Sequence, residues 1–210
     1  MKITGCKFFL IETPRETGAI SEHLMIRIDT DGGVNGWGEW SDLSHVHPAA
    51  DFPDFDALEE EANLRITGAD PLNINETMDR LDGILPAAFD VGLYDLCGKI
   101  LDVPVYALLG GKRRDRIPFC YPIFPMQSPK GEDPDHEIRD NLQRVRRVVE
   151  MGHFRIRKYI GFNVEAEARW LKAFRESFDT DVEIKSLDLS GRFHWQEALA
   201  LLQRFKEIDY

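Results

Sequence analysis

The stretch Val182-Glu183-Ile184-Lys185-Ser186-Leu187-Asp188-Leu189-Ser190 delivers a carboxylate at the end of an apolar run. As a strand with strict alternation, it places Val182, Ile184, Ser186, Asp188 and Ser190 on one face, with Asp188 at the exit. A carboxylate there is a hard oxygen ligand suited to a divalent cation such as Mg²⁺. A helix N-cap or a solvated loop position is the other reading of the same residue. A second stretch, Phe154-Arg155-Ile156-Arg157-Lys158-Tyr159-Ile160-Gly161, alternates in the same way. Phe154, Ile156 and Ile160 suit a face packed on helices, which turns Arg155, Arg157 and Tyr159 to the opposite side. Arginine keeps its proton at any ordinary pH, so Arg157 is a poor base and a good carboxylate clamp. Tyr159 can donate a hydrogen bond, or act as a base once its pKa is strongly lowered. An ion-paired or stacked interior is the alternative for both. A slip of one residue, which would present Lys158 instead, turns the isoleucines to the polar side and is rejected.

His45 and His47, with Asp42 and Asp51 nearby, carry the residue types of a metal site. The stretch 41–54 is nevertheless rich in Ser, Asp, His and Pro and does not read as a strand that would align two imidazoles. A substrate-contacting loop is the preferred reading. There is no Walker loop, Gly-x-Gly-x-x-Gly fingerprint, nucleophile elbow or zinc spacing.

These residues must be held by repeating elements. Residues 2–12, 22–30 and 34–40 alternate as strands, with Asp31-Gly32-Gly33 as a hairpin turn. Polar loops are expected at 13–21 and 41–54. Helices are expected at 55–66, 73–82 and 86–101, the second capped by Asn73 or Asn75. Beyond Gly111 the pattern becomes strand, helix, strand, helix: strands at 117–124, 153–160 and 182–189, helices at 135–151, 164–178 and 195–205. Repeated strand–helix units imply a parallel sheet with right-handed crossovers. The expected division is 1–112 and 113–210, with the basic run Lys112 to Arg116 as a solvated junction. Three units are less than half of a closed eight-unit barrel, which takes roughly 250 residues. The pattern is therefore an α+β domain, an antiparallel meander plus helices, followed either by an open parallel sheet or by an incomplete α/β TIM-type barrel, the barrel being what the resemblance given below implies.

With 26 basic and 37 acidic residues among 210, the net charge is −11. That field repels nucleic acid and anionic membrane surfaces, so an anionic ligand needs a local attractor such as a metal ion or a few arginines. Three scattered cysteines, Cys6, Cys97 and Cys120, have no framework spacing and read as reduced thiols. No apolar run approaches the roughly 20 residues of a membrane span, and the N-terminus is too charged for a signal peptide. A cytoplasmic protein is expected.

Residues 86–111 are the most specific part of the chain. Phe89, Leu93, Leu96 and Ile100 recur at helical spacing, and Val103-Pro104 ends the helix. Leu108-Leu109-Gly110-Gly111 is expected as an apolar turn pinning the helix against a neighbour. Ala88, Tyr94-Asp95, Gly98-Lys99, Pro104 and Leu108 to Gly111 resemble the segment that closes the capping domain of the enolase superfamily, in its mandelate racemase and muconate-lactonising branch. The resemblance covers essentially the whole chain and is strongest at 86–111.

That resemblance implies Mg²⁺-assisted removal of the proton next to a carboxylate. It makes Asp188 the first metal aspartate of an Asp-x-Asn motif, with Ser190 in the asparagine's place. It puts Arg157 and Tyr159 where many relatives carry Lys-x-Lys, whose second lysine is the base. Their loss disfavours racemisation and cycloisomerisation and favours dehydration of an acid sugar, with a histidine base from a later strand. Loops matching 13–21 and 41–54 choose the substrate in that family, making Thr17, Ile20 and His47 candidate contacts. A small carboxylate substrate and a homo-oligomer are expected, and the 210-residue chain alone is expected to be inactive. The rival reading is a non-catalytic binding or assembly module.

Overall fold

The computed structural model describes residues 1–15, 18–41, 43, 52–124 and 134–206. They form two compact units, Met1–Asp115 and Arg116–Tyr210.

In the first unit β1 (Ile3–Pro14), β2 (Ile20–Thr30) and β3 (Asn35–Trp40) form an antiparallel sheet in that order. The expected loop at 13–21 is shorter than its polarity suggests. Pro14 pairs with Ile20, and Arg15 N–H donates to the Ala19 carbonyl at 2.8 Å. Ile20 therefore opens β2 as a strand residue. A hairpin ladder is built from backbone groups, so polar side chains at an exposed end do not stop it.

Three helices follow, α1 (Phe55–Ile66), α2 (Ile74–Leu81) and α3 (Pro86–Leu101), then a single turn, α4 (Val105–Leu108). Asp54 and Asn73 accept from the backbone N–H three residues on and so cap α1 and α2. Leu24, Ile26 and Ile28 of β2 share one core with Phe89, Leu93 and Leu96 of α3. The helix lies so close to β3 that a Cβ at Gly38 would land on the Ala88 carbonyl, and one at Gly36 on that of Gly92.

Asp95 and Lys99 lock this approach. Asp95 Oδ2 accepts from Trp37 N–H at 2.8 Å and from Lys99 Nζ at 2.6 Å, and Lys99 also donates to the Asn35 carbonyl at 3.1 Å. The helix ends at Asp102 in the left-handed region, with Val103 N–H returning to the Gly98 carbonyl at 2.9 Å. The apolar turn at Leu108 to Gly111 follows α4, which contacts α3, and Leu108 is half-buried. Leu109 is exposed, and the turn closes locally through Gly111 N–H to the Tyr106 carbonyl at 2.8 Å.

In the second unit β4 (Tyr121–Ile123), β5 (Arg155–Tyr159) and β6 (Glu183–Asp188) form a parallel sheet in that order. Helices α5 (Pro134–Glu150), α6 (Val164–Ser177) and α7 (Trp195–Phe205) complete three strand–helix units. The expected first strand contracts from 117–124 to three residues. Pro118 and Pro122 lack the N–H a ladder needs, and Ile117 and Phe119 stay exposed. Val145 and Val148 of α5 and Trp170, Leu171 and Phe174 of α6 share a core with Ile123, Ile156 and Ile160.

Strand β6 departs from strict alternation. Ile156 pairs with Ile184, yet the next residue, Arg157, pairs with Ser186. Lys185 is thus an extra residue, a bulge that changes which side the following residues face. Ile184 and Leu187 pack on the helix-side core, while Ser186 and Asp188 lie beside Arg157 and Tyr159. The expectation that 182, 184, 186, 188 and 190 share one face fails at this point.

Two outcomes are expected in denaturant unfolding. Gly38→Ala destabilises by about 3 kcal/mol or more, because the obstructing atom belongs to the α3 backbone and cannot rotate away. Deleting Lys185 leaves Ile184, Ser186, Leu187 and Asp188 opposite the same β5 residues, so it is expected to cost no more than about 1 kcal/mol, and Lys185→Ala to stay within about 0.5 kcal/mol.

Candidate active site

Parallel strands carry reactive groups at their C-terminal ends, and there β5 and β6 bring Arg157, Tyr159 and Asp188 together. Tyr159 and Asp188 are register partners. Arg157 Nε lies 3.5 Å from Asp188 Oδ2, and Arg157 Nη2 donates to the Tyr159 hydroxyl. The guanidinium also sits 4.8 Å from the Tyr159 ring centre, and that ring stacks on Phe124 at 4.5 Å and 19°. The arginine is thus aimed by an aromatic platform while its Nε, though buried, makes no hydrogen bond. Such a group is a carboxylate clamp with bonding capacity to spare.

Asp188 has a second tether. Its Oδ1 accepts from Ser190 N–H at 2.7 Å, with Ser190 at φ 52°. This is a local turn of the kind aspartate favours. The Ser190 hydroxyl is buried without a partner. One carboxylate and one spare hydroxyl are oxygen donors of the type Mg²⁺ prefers, but an octahedral ion needs more of them. Among the described residues no cluster of three His, Cys, Asp or Glu side chains is present. The described residues therefore supply part of a donor set and do not hold the ion by themselves.

Of the three substrate contacts expected in the first unit, Ile20 alone is among the described residues. Thr17 and His47, like Asp42, His45 and Asp51, lie outside the described residues. Ile20 is exposed at the start of β2. The three cysteines are free; burial pushes the Cys6 thiol up to about 12, with nearby Glu59 adding to it. Among the described residues no helix is long and apolar enough to cross a membrane.

Lys158 was assigned no role from sequence, and it is the most perturbed cation described. It occupies the helix-facing side of β5 with Ile156 and Ile160, is 3% exposed, and lies 5.2 Å from the Trp170 ring centre. Burial pulls its pKa down to about 8; Glu137 and Glu167 oppose the shift and Arg144 adds to it. The signal was visible: a lone lysine at the apolar parity of a strand.

Comparison with known proteins agrees with this architecture. Residues 11–110 match the family Mandelate racemase / muconate lactonizing enzyme, N-terminal domain. An N-succinyl-L-Arg/Lys racemase of Bacillus cereus is 25% identical over 199 residues, 88% of this chain and 51% of that protein. A D-galactonate dehydratase of Variovorax paradoxus is 33% identical over 133 residues, 58% of this chain and 31% of that protein. The crystal structure of a muconate cycloisomerase from Azorhizobium caulinodans covers 99% of this chain and 55% of its own, with a TM-score of 0.68 at 27% identity. Residues 11–110 thus belong to the mandelate racemase / muconate lactonizing enzyme N-terminal domain family, and the chain as a whole is similar to enzymes of that group. It spans about half the length of the relatives it matches most fully.

Because Lys158 releases its proton more easily folded than unfolded, its burial penalty is complete below pH 8 and fades as pH rises toward 10.5. Lys158→Met is expected to stabilise the chain at pH 7 by up to about 3 kcal/mol. Unfolding followed from pH 7 to 10.5 should show the advantage of the variant shrinking with pH.

Proposed function

We propose that this chain carries the capping domain and opening strand–helix units of an enzyme that removes the proton alpha to the carboxylate of a small acid, with dehydration of an acid sugar as the reaction. The observation that supports it most is the Arg157–Tyr159–Asp188 group at the C-terminal ends of adjacent parallel strands. Arg157 binds the substrate carboxylate and Tyr159 orients it by a hydrogen bond. Asp188 contributes one ligand to a Mg²⁺ site, and the ion's chemistry is to stabilise the negative charge of the deprotonated acid.

Dehydration is preferred because neither side chain offered by β5 on this face is an ordinary base at neutral pH. The proton acceptor must come from elsewhere, and the similarity to D-galactonate dehydratases fits that requirement. Racemisation or cycloisomerisation is the second reading, favoured by relatives such as the Bacillus cereus racemase that match most of the chain. We further propose a homo-oligomer with no nucleic-acid or membrane partner, in keeping with the net charge of −11.

The test is turnover of an acid-sugar panel with Mg²⁺ by the 210-residue chain and by the polypeptide of the complete reading frame. The shorter chain is expected to be inactive, and its turnover would sink the claim that further ligands are required. In the complete polypeptide, Asp188→Ala should lower turnover by roughly 10³-fold, and Arg157→Gln should raise KM by about 10-fold or more. Absence of dehydration there, or indifference to both substitutions, refutes the assignment.

A further inference from the structure

The helix-facing side of β5 borders a second concave site, which shares Tyr159 in its lining but does not rest on the function proposed above. A cavity of about 190 Å³ lies between α5, β5 and α6, space for roughly six water molecules. Lys158, Asn141, Glu167 and Trp170 line it and are 3%, 1%, 7% and 2% exposed. Buried polar groups in proteins are nearly always paired. Here four neighbouring ones retain unused capacity among the described residues.

Lys158 makes no hydrogen bond or ion pair there and has only the face of Trp170 beside it. The Trp170 indole N–H is unpaired. Glu167 uses Oε1 to accept from Phe162 and Asn163 N–H at 2.7 and 3.2 Å, leaving Oε2 without a partner. Asn141 donates Nδ2 to the Glu137 carbonyl at 3.0 Å, leaving Oδ1 without one. These four groups thus offer two donors, one cationic, and two acceptors, one anionic, and the Glu137 carboxylate also lines the cavity.

A simple anion would satisfy Lys158 and face the spare oxygen of Glu167. A simple cation would satisfy Glu167 and face the ammonium. Only a ligand carrying both charges complements all four groups. We propose that this cavity binds a small zwitterionic α-amino acid, its carboxylate on Lys158 and Trp170 and its ammonium on Glu167 and Asn141. Both partners are desolvated, where charge-assisted hydrogen bonds are strongest. The lowered pKa of Lys158 fits a site awaiting an anion, since burial outweighs the opposing pull of Glu137 and Glu167. The burial penalty of Lys158 is then a cost retained for binding.

Calorimetric titration of the 210-residue chain with glycine, L-alanine and L-serine tests this. Saturable binding of at least one, with Kd below about 1 mM, is expected. Acetate and methylammonium, each carrying half the recognition, should bind at least about tenfold more weakly. Lys158→Met and Glu167→Gln should each weaken binding by about tenfold or more. A thermal unfolding midpoint for Lys158→Met at or above that of the unmodified chain separates its loss of binding from unfolding. A cavity holding water only, with no saturable heat up to about 10 mM ligand, overturns the proposal. So does acetate binding as tightly as the amino acids, or affinity unchanged in both variants.

Discussion

Asp188 meets Arg157 because β6 carries one residue more than β5 at Lys185. Without that bulge, the parity that buries Ile184 would send Asp188 toward the helices and a different set of side chains to the open face. The bulge leaves the backbone pairing with β5 intact on either side. One extra residue thus separates a stable helix-facing core from a polar face that can do chemistry.

The Arg157–Asp188 contact is itself weak enough to be exchangeable. Both side chains are partly open to water, and such pairs contribute only about 0–1 kcal/mol. An incoming carboxylate can therefore displace Asp188 from the guanidinium at little cost. The aromatic stack of Tyr159 on Phe124 does not depend on that exchange and keeps the arginine aimed. In a chain of net charge −11, the proposed clamp would give an anionic substrate a local attractor.

The motif that made the family recognisable is structural. Asp95 and Lys99 tie α3 to the backbone of β3, Gly36 and Gly38 let the helix approach, and Gly98 sits where the chain folds back after it. The resemblance over residues 86–111 therefore specifies a fold and says little about substrate, which relatives as different as a racemase and a dehydratase illustrate.

Local patterning was enough to place six strands and the long helices, because a period of two or 3.6 is written directly in side-chain order. It also put Arg157 and Tyr159 on one side of β5 and the isoleucines on the other. Three things were decided only by the tertiary structure. The bulge at Lys185 is a backbone event that alternation cannot reveal, because alternation assumes its absence. The shortening of the 13–21 loop depended on pairing between β1 and β2, which polar side chains neither forbid nor announce. The burial of Lys158 among Asn141, Glu167 and Trp170 required α5 and α6 to close over it, and a single strand carries no record of what will pack against it.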